Sequence, residues 1–357
     1  MTFREHARYA ILVPSSMGVR ITPNDRQPVH ISTGFHMQAT SAETNVISIS
    51  AALGLKVKVL TKFVKMSPIA QFIKNDLRRR GIEFEGKEIP QGGPWGYRHQ
   101  FNIADSGYGL RAPQVQNDRA GEVGKTLNIQ DFDLDRLFQR EGVALLHLSG
   151  LIAALSPNTG AFCLELARKA KQSGTKISFD LNYRASFWEE RQSELRQLFT
   201  ELAGCADFLI GNEEDFQLAL GLTGPASGGK NLLDQTANFK EMILKAKQAY
   251  PKVELFATTL REVVNANEHL WGAIMLADDQ WIQIEPRLIQ VMDRIGGGDG
   301  FVGGLLYGLL KGYSLTESLQ LAWASGAYVV TLLDDFGLPL NEEQLWRIYE
   351  GNARVKR

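Results

Sequence analysis

Short hydrophobic runs alternate with amphipathic stretches along most of the chain. The runs, among them "RYAILVP", "GVALLHLSG" and "TKISFDL", have the length of β-strands, and the stretches between them repeat apolar residues at helical spacing. One such helix has clear end signals, with Ser67 as N-cap, Pro68 at its first position and Gly81 after its end. Runs such as "ISFDL" are apolar on both faces, as in strands buried between helix layers. The pattern predicts a three-layer α/β sandwich with a mostly parallel central sheet.

Two segments interrupt this alternation. From Gly92 the chain reads "GGPWGYRHQFNIADSGYGLRAPQV", in which two extended runs flank a Ser-Gly turn, and this pattern predicts a β-hairpin. The segment from Gly18 to Gly34 has a similar alternation of strand and turn residues. We expect the two segments, approximately residues 14–40 and 92–120, to form a small β lid on a single α/β domain of residues 1–357.

The overall charge excludes several classes of function. The chain has a net charge of −1 and an isoelectric point near 6.6, so it offers no broad basic surface to nucleic acid or anionic lipid. The apolar run near the N-terminus, "YAILVP", is too short for a signal peptide or a membrane span. Cys163 and Cys205 are too few for a disulfide scaffold or a zinc quartet, and we expect both to be buried, inert thiols. A cytoplasmic enzyme or binding protein is the expectation.

A glycine-rich stretch, "VMDRIGGGDGFVGGLLYGLL", carries the strongest chemical signal. The apolar residues after it recur at helical spacing, so Gly296, Gly297 and Gly298 are predicted to lie at a helix N-terminus. Free backbone N–H groups and the helix dipole make such an end an anion site. Asp299 then has two interpretations: a base that accepts the proton of an attacking hydroxyl in phosphoryl transfer, or the N-cap of the helix.

Three other interpretations of glycine motifs are weaker. The same stretch satisfies G-x-G-x-x-G, but the charge of Asp299 would face a dinucleotide's pyrophosphate, and no acidic residue follows at the expected distance. The stretches Gly224–Asn231 and Gly121–Thr126 are similar to P-loops but lack a preceding strand, and the first ends in Asn231 where a magnesium-binding hydroxyl is needed. We expect neither to bind phosphate.

The segment "DRIGGGDGFVGG" closely resembles the C-terminal signature of the ribokinase-like (PfkB) sugar kinases, D-[TS]-x-G-A-G-D-x-F-x-G-G, with departures at Arg294 and Gly297. The resemblance implies a ribokinase-like sandwich, ATP as phosphoryl donor, Asp299 as catalytic base and the three glycines before it as an anion hole. It also implies a homodimer formed through the lids.

The resemblance extends to residues that follow predicted strands. In "GNEEDF", Asn212 and Asp215 stand where the family has N-x-x-E, which implies that they hold Mg²⁺ through water; the alternative is an acid-rich helix start that the dipole favours. In "ATTLREVV", taken to follow a strand, Thr259 and Arg261 stand where the family's T-x-G-x-x-G lines the nucleotide, with Arg261 replacing the first glycine. Ser325 is a candidate on the helix beside the adenine.

The substrate candidates carry positive charge. Asp180, Asn182 and Arg184 alternate in "FDLNYRASFW", so an extended backbone would direct all three to one side, and the segment resembles D-x-N-x-R of 2-keto-3-deoxygluconate kinases. Arg119 in "NDRAGE" is similar to a second substrate arginine of those kinases. Two arginines on a nearly neutral chain favour a sugar acid over a neutral sugar.

Further substrate contacts are expected at Gly34 and Tyr97. The sequence thus predicts an ATP- and Mg²⁺-dependent sugar kinase acting on a small sugar acid, with a monovalent cation requirement left open. Two alternatives stay open: another sugar kinase of the family, for ribose, fructose or a nucleoside, and a sugar-binding sensor without catalysis.

Overall fold

A computed structural model describes residues 1–225 and 232–355. Most of the P-loop-like stretch Gly224–Asn231 therefore lies outside the described residues. The strands are β1 Tyr9–Pro14, β2 Gly18–Pro23, β3 Phe35–Thr40, β4 Val57–Val64, β5 Glu83–Ile89, β6 Gln100–Ala104, β7 Val115–Asp118, β8 Val143–Ser149, β9 Lys176–Asp180, β10 Phe208–Ile210, β11 Leu255–Asn265, β12 Glu268–Ala277 and β13 Gln280–Gln290.

Eleven α-helices lie within these described ranges, together with short 3₁₀ turns and one π-helical turn. They are α1 Ala42–Ala52, α2 Pro68–Arg79, α3 Gly150–Ala154, α4 Pro157–Gln172, α5 Ala185–Trp188, α6 Gln192–Cys205, α7 Glu213–Leu220, α8 Leu232–Ala249, α9 Gly297–Lys311, α10 Leu315–Val329 and α11 Glu342–Glu350. The predicted start of α2 is confirmed, since the Ser67 hydroxyl accepts the Ala70 N–H and Pro68 is the first helical residue.

The large sheet has nine strands in the order β13-β12-β11-β10-β9-β8-β1-β4-β5. All neighbours from β11 to β5 are parallel, which confirms the predicted mostly parallel sheet. At the other edge β12 and β13 pair antiparallel, an addition that the alternation of strands and helices did not predict.

Helices cover both faces of this sheet, as the apolar strands predicted. Consecutive strand residues enter opposite cores: Leu145 and Phe208 pack in one core with α1 and α9, whereas Leu146 and Leu209 pack in the other with α4 and α6. All four side chains are fully buried. The burial of each such side chain stabilises the fold by about 1.5–3 kcal/mol.

The two interrupting segments form one four-stranded sheet in the order β3-β2-β6-β7, which confirms the predicted hairpin of β6 and β7. Strand β2 pairs antiparallel with β3 and parallel with β6. This small sheet stands over the carboxyl ends of the large sheet, where Arg20, Asn102 and Asn117 from its strands line a cleft.

Helix α9 approaches its neighbours closely because it is rich in glycine. A Cβ atom at Gly303 would lie 2.4 Å from the Val46 carbonyl oxygen of α1, and one at Gly304 would lie 2.5 Å from the Leu321 carbonyl oxygen of α10. Any side chain at these two positions would push the helices apart. The close packing brings the first turn of α9 beside α1.

The cysteine prediction is confirmed only for one thiol. Cys163 is fully buried, and burial, with the Glu43 charge, raises the pKa of its thiol. Cys205 is half-buried at the end of α6, so the prediction that it is buried was wrong. None of the described helices has the length and apolar character needed to cross a membrane.

Candidate active site

A cleft of about 600 Å³ opens between the small sheet and the carboxyl ends of the large one. This is the edge where parallel α/β sheets bind ligands. Most of the residues selected from the sequence line it, although they come from distant parts of the chain: Arg119, Asp180, Asn182, Arg184, Asn212, Asp215, Thr259, Arg261, Gly296, Gly298 and Asp299.

The glycine loop forms an open helix N-terminus, as predicted. Gly296 is the N-cap with φ +83°, and a Cβ atom there would lie 1.9 Å from the Asp335 carbonyl oxygen, so only glycine fits. The first α-helical hydrogen bond is donated by Gly300 N–H to the Gly296 carbonyl, which leaves the amides of Gly298 and Asp299 without an intrahelical acceptor. Gly298 is exposed to the cleft, with open space where a side chain would be, and Gly297 is buried beneath it. An anion can therefore approach these amides.

Asp299 lies in the first turn of α9 and does not cap the helix, because Gly296 occupies the N-cap. Its carboxylate accepts a hydrogen bond of 2.9 Å from Asn45 Nδ2 on α1. Burial raises the pKa of Asp299 well above its ordinary value, and the charge of Asp180 adds to the effect while Asn45 opposes it. A carboxylate with a raised pKa in a cleft is suited to general base catalysis.

Asn45 is a functional candidate for which the sequence patterns predict no role. It fixes the orientation of Asp299, yet it lies 254 residues away in the chain. Its side-chain oxygen is buried and has no hydrogen-bond partner among the described residues. In the stretch "NVISIS" of α1 polar and apolar residues are mixed, with Ser48 and Ser50 beside Asn45, so no local pattern distinguishes it.

The residues after β9 line the cleft, but not by the extended backbone that the alternation suggested. Strand β9 ends at Asp180, and Asn182 has φ +37°, so the chain turns there, and that inference was wrong. The turn is stabilised because the Tyr183 N–H donates to Asp215, at 2.8 Å. Arg184 is exposed towards the cleft, and the one hydrogen bond of its guanidinium among the described residues goes to the Tyr183 carbonyl.

Asp180 is a second buried acid in the cleft. Burial and the neighbouring charge of Asp215 raise the pKa of Asp180 to about 7, while Arg184 and the Asn182 amide oppose the shift. Its carboxylate accepts the Asn182 N–H at 3.2 Å. At neutral pH both protonation states of this group are therefore populated. The protonated form can donate a hydrogen bond to a substrate hydroxyl, and the ionised form can accept one from it.

Arg119 is paired within the protein. Its guanidinium donates to both carboxylate oxygens of Glu122, at 2.8 and 3.0 Å, and its centre lies 5.2 Å from the centroid of the Phe187 ring. Glu122 is fully buried, so the ion pair is held rigidly beside the cleft. Glu122 therefore balances the charge of Arg119, whereas Arg184 has no carboxylate partner among the described residues.

Asn212 and Asp215 form a reciprocal capping box at the start of α7. The Asn212 side chain accepts the Asp215 N–H at 2.9 Å, and the Asp215 carboxylate accepts the Asn212 N–H at 2.8 Å. Burial raises the pKa of Asp215 despite these bonds. The capping alternative is thus realised, and both side chains still line the cleft.

These two side chains fit a water-mediated role towards Mg²⁺. No group of three or more His, Cys, Asp or Glu side chains among the described residues could hold a metal by itself. Mg²⁺ commonly keeps several waters and binds one or two carboxylates together with substrate phosphates. Asp215 and Asn212 would hold such an ion through its waters, and the ion would neutralise charge on the phosphates.

The remaining candidates divide between the cleft and its surroundings. Thr259 and Arg261 line the cleft from within β11, which continues to Asn265, so the expectation that their segment follows a strand was wrong. Ser325 is fully buried in α10, behind the glycine loop. The structure does not bring Gly34 or Tyr97 to the cleft: Gly34 packs against Asn24, and Tyr97 is exposed on the loop before β6.

Comparison with known proteins gives related molecules. A family model described as "pfkB family carbohydrate kinase" matches residues 124–334. The 2-dehydro-3-deoxygluconokinase of Bacillus subtilis (strain 168) is 27% identical over 322 residues, which is 90% of this chain and 89% of that protein. The 5-dehydro-2-deoxygluconokinase of Shouchella clausii is 27% identical over 305 residues, covering 85% of this chain and 84% of that protein.

The fold is that of solved kinases. The crystal structure of 2-dehydro-3-deoxygluconokinase from Thermotoga maritima superimposes with a TM-score of 0.85 at 24% identity, covering 97% of this chain and all of that one. The architecture is therefore the ribokinase-like α/β fold, as the sequence predicted.

Proposed function

Because the chain belongs to the pfkB family of carbohydrate kinases, we propose that it transfers the γ-phosphoryl group of ATP to a primary hydroxyl of 2-keto-3-deoxygluconate, a small sugar acid. The observation that carries the proposal is the position of Asp299 beside the free amides of α9, in a cleft of about 600 Å³. Clefts that hold small ligands have volumes of about 300–1,000 Å³.

The proposed chemistry divides between the loop and the acid. Asp299 accepts the proton of the attacking hydroxyl, and Asn45 holds its carboxylate in place. The amides of the Gly296–Gly298 turn stabilise the negative charge of the transferring phosphoryl group. Asn212 and Asp215 would hold Mg²⁺ through its waters, and the ion would supply positive charge to the phosphates.

A sugar acid is favoured by the charges around the cleft. Arg184 is exposed towards the cleft with no carboxylate partner among the described residues, so its planar guanidinium is available to a substrate carboxylate. Arg119, held beside the cleft by its ion pair with Glu122, offers its remaining guanidinium N–H groups as a second contact to the sugar acid. Asp180 and Asn182 offer hydrogen bonds to sugar hydroxyls. The names of the related gluconokinases support the same class of substrate.

The small sheet acts as a lid in this proposal. Its strands, within segments 14–40 and 92–120, cover the mouth of the cleft and keep water away from the phosphoryl group. Nucleotide contacts fall to Thr259, Arg261 and the α10 helix that carries Ser325. We further propose a homodimer formed through the small sheet.

An ADP-release assay on the purified protein tests the activity. The acceptors are 2-keto-3-deoxygluconate, 5-keto-2-deoxygluconate, ribose, fructose and adenosine, with Mg²⁺ present and with potassium exchanged for tetramethylammonium to test the monovalent cation. We expect turnover with a sugar acid. Asp299→Asn should lower kcat by about 10²–10⁴-fold while nucleotide binding changes little. Substantial residual turnover in this variant would refute the base assignment.

The assay also separates the alternatives. A kinase for a neutral sugar would turn over ribose, fructose or adenosine, and its activity would survive Arg184→Gln. A sensor would bind sugar and release no ADP. Arg168→Gln serves as control, because Arg168 is 54% exposed on α4 and pairs only with surface glutamates among the described residues.

A further inference from the structure

We propose that Arg261 and Arg294 form a guanidinium pair that binds the phosphate chain of the nucleotide, beside the amides of the glycine loop. The inference rests on the proposed function, because its ligand is the polyphosphate of ATP. It concerns two side chains that the family signature does not contain, since Arg261 stands where that pattern has glycine and Arg294 where it has threonine or serine.

The two arginines are far apart in the sequence and line the same cleft. Arg261 projects from β11, and Arg294 lies in the loop between β13 and α9, two residues before Gly296. Both line the cleft together with Gly296 and Gly298. Two separate departures from the family pattern thus place positive charge beside the same anion-binding turn.

The charge of each arginine affects the groups around it. Burial lowers the pKa of Arg261, and the charge of Arg294 lowers it further, while Glu213 and Asp215 partly compensate. His269 lies on β12 and pairs with Val263 of β11. Burial lowers the pKa of His269 to about 4, and the charges of Arg261 and Arg294 contribute to this shift. His269 is therefore neutral at pH 7, and the positive charge of this region resides on the two guanidinium groups.

Neither guanidinium has an acceptor within hydrogen-bonding distance among the residues that the structure describes. Two other arginines that line the cleft are paired, since Arg20 contacts Asp293 and Asp335, and Arg119 contacts Glu122. Arg261 is half-buried and Arg294 is exposed, and holding two unpaired cations close together is unfavourable. A ligand with several negative charges, bound between them, would remove that cost and supply the missing acceptors.

A nucleotide phosphate chain fits these requirements better than a sugar carboxylate. Guanidinium groups bind phosphate oxygens in a bidentate manner, and two of them can engage successive phosphates. The position of Arg294 next to the glycine turn also lets it stabilise the charge of the transferring group. Arg184, on the loop after β9, is then available to bind the carboxylate of the sugar acid.

Calorimetric titration of the full-length protein with AMP, ADP and ATP tests the pair. For Arg261→Gln and Arg294→Gln we expect AMP affinity close to wild type, a moderate loss for ADP and a loss of about tenfold to hundredfold for ATP. Lysine at either position should restore part of the ATP affinity, because it keeps the positive charge but cannot form the bidentate hydrogen bonds of a guanidinium group. In turnover assays these variants should raise the KM for ATP and leave the KM for the sugar acid nearly unchanged, whereas Arg184→Gln should do the reverse.

Two controls keep the outcome unambiguous. Arg168→Gln should match wild type in every titration, and thermal unfolding should show both pair variants folded with stability equal to or above wild type, since they remove repelling charges. An equal loss for AMP, ADP and ATP, or no loss for any of them, would overturn the inference while the kinase proposal stands on wild-type turnover. A wild-type protein that binds no adenine nucleotide would overturn both.

Discussion

The surroundings of Asp299 favour its protonated, neutral form, although a general base must be ionised to accept a proton. Burial is the largest cause that raises the pKa of Asp299, and the charge of Asp180 adds to it. The carboxyl group therefore binds its proton more tightly in the folded chain than in the unfolded one. The stability that it contributes is complete below a pH of about 4 and is lost as the pH rises through the folded pKa.

From this sign we expect Asp299→Asn to be more stable than wild type at pH 8, although it is inactive. Asparagine cannot ionise, and its side-chain oxygen can still accept the bond from Asn45. Near pH 4 the two proteins should have the same free energy of unfolding. A difference of one in pKa between folded and unfolded states corresponds to about 1.4 kcal/mol.

Urea unfolding between pH 4 and 8.5, at constant ionic strength, measures the difference. Asp278→Asn is the control, because Asp278 is exposed in the turn between β12 and β13, and its curve should run parallel to that of wild type. A constant offset between wild type and Asp299→Asn over the whole pH range would show that burial of the charge is not the cause.

At the scale of elements, Arg20 connects the small sheet to the glycine loop. Its guanidinium, on β2, forms ion pairs with Asp293, at the start of that loop, and with Asp335, which follows α10. Ser106 also donates to Asp293, and Thr40 donates to Asp335, at 2.6 and 2.7 Å. All of these groups are buried, so the position of β2 and the shape of the anion site depend on one cation.

We expect Arg20→Met to lower the free energy of unfolding by roughly 3–5 kcal/mol, because two buried carboxylates lose their counter-charge. Hydrogen exchange should accelerate both in β2 and in the amides of Gly296–Gly298. Arg98→Met is the control beside the same sheet, since Arg98 lies just before β6. Its partner Asp118 is 41% exposed, and loss of that surface pair should cost no more than about 1 kcal/mol. Faster exchange in β2 alone would contradict the connection.

The elements that sequence could predict are those whose signals are local. The N-terminus of α2 at Ser67 and Pro68 and the apolar strands of the parallel sheet depend on neighbouring residues, so the pattern was sufficient. The continuation of β11 through Arg261 depends on pairing with β12, and the left-handed turn at Asn182 depends on a bond to Asp215. The contact of Asn45 with Asp299 arises only when α1 packs on α9. Local patterns thus gave the residues of the site and tertiary contacts gave their geometry.

At the scale of the whole molecule, the two faces of the small sheet have different character. Side chains alternate along its strands, so Arg20, Gln100 and Asn102 face the cleft, whereas Ile21, Met37 and Ile103 lie side by side on the opposite face. Phe35 and Met37 on that face are 40% and 41% exposed. An apolar sheet face of this kind is typical of an interface.

The proposed dimer gives this face a partner, namely the same face of a second copy across a two-fold axis. We expect the wild-type protein to sediment at twice its chain mass of 39.7 kDa, and Met37→Glu to sediment as the monomer, because a buried and unpaired carboxylate opposes association. Leu244→Glu is the control, since Leu244 is 44% exposed on α8, in the helix layer of the large sheet, and its charge should leave the dimer intact. Sedimentation velocity at several concentrations distinguishes these outcomes, and a wild-type protein that stays monomeric throughout would refute the dimer. If the dimer forms, the apolar face of each small sheet packs against its partner and holds that sheet over its own cleft. Met37→Glu should then also raise the KM for the sugar acid, because the sheet would close less firmly over the cleft.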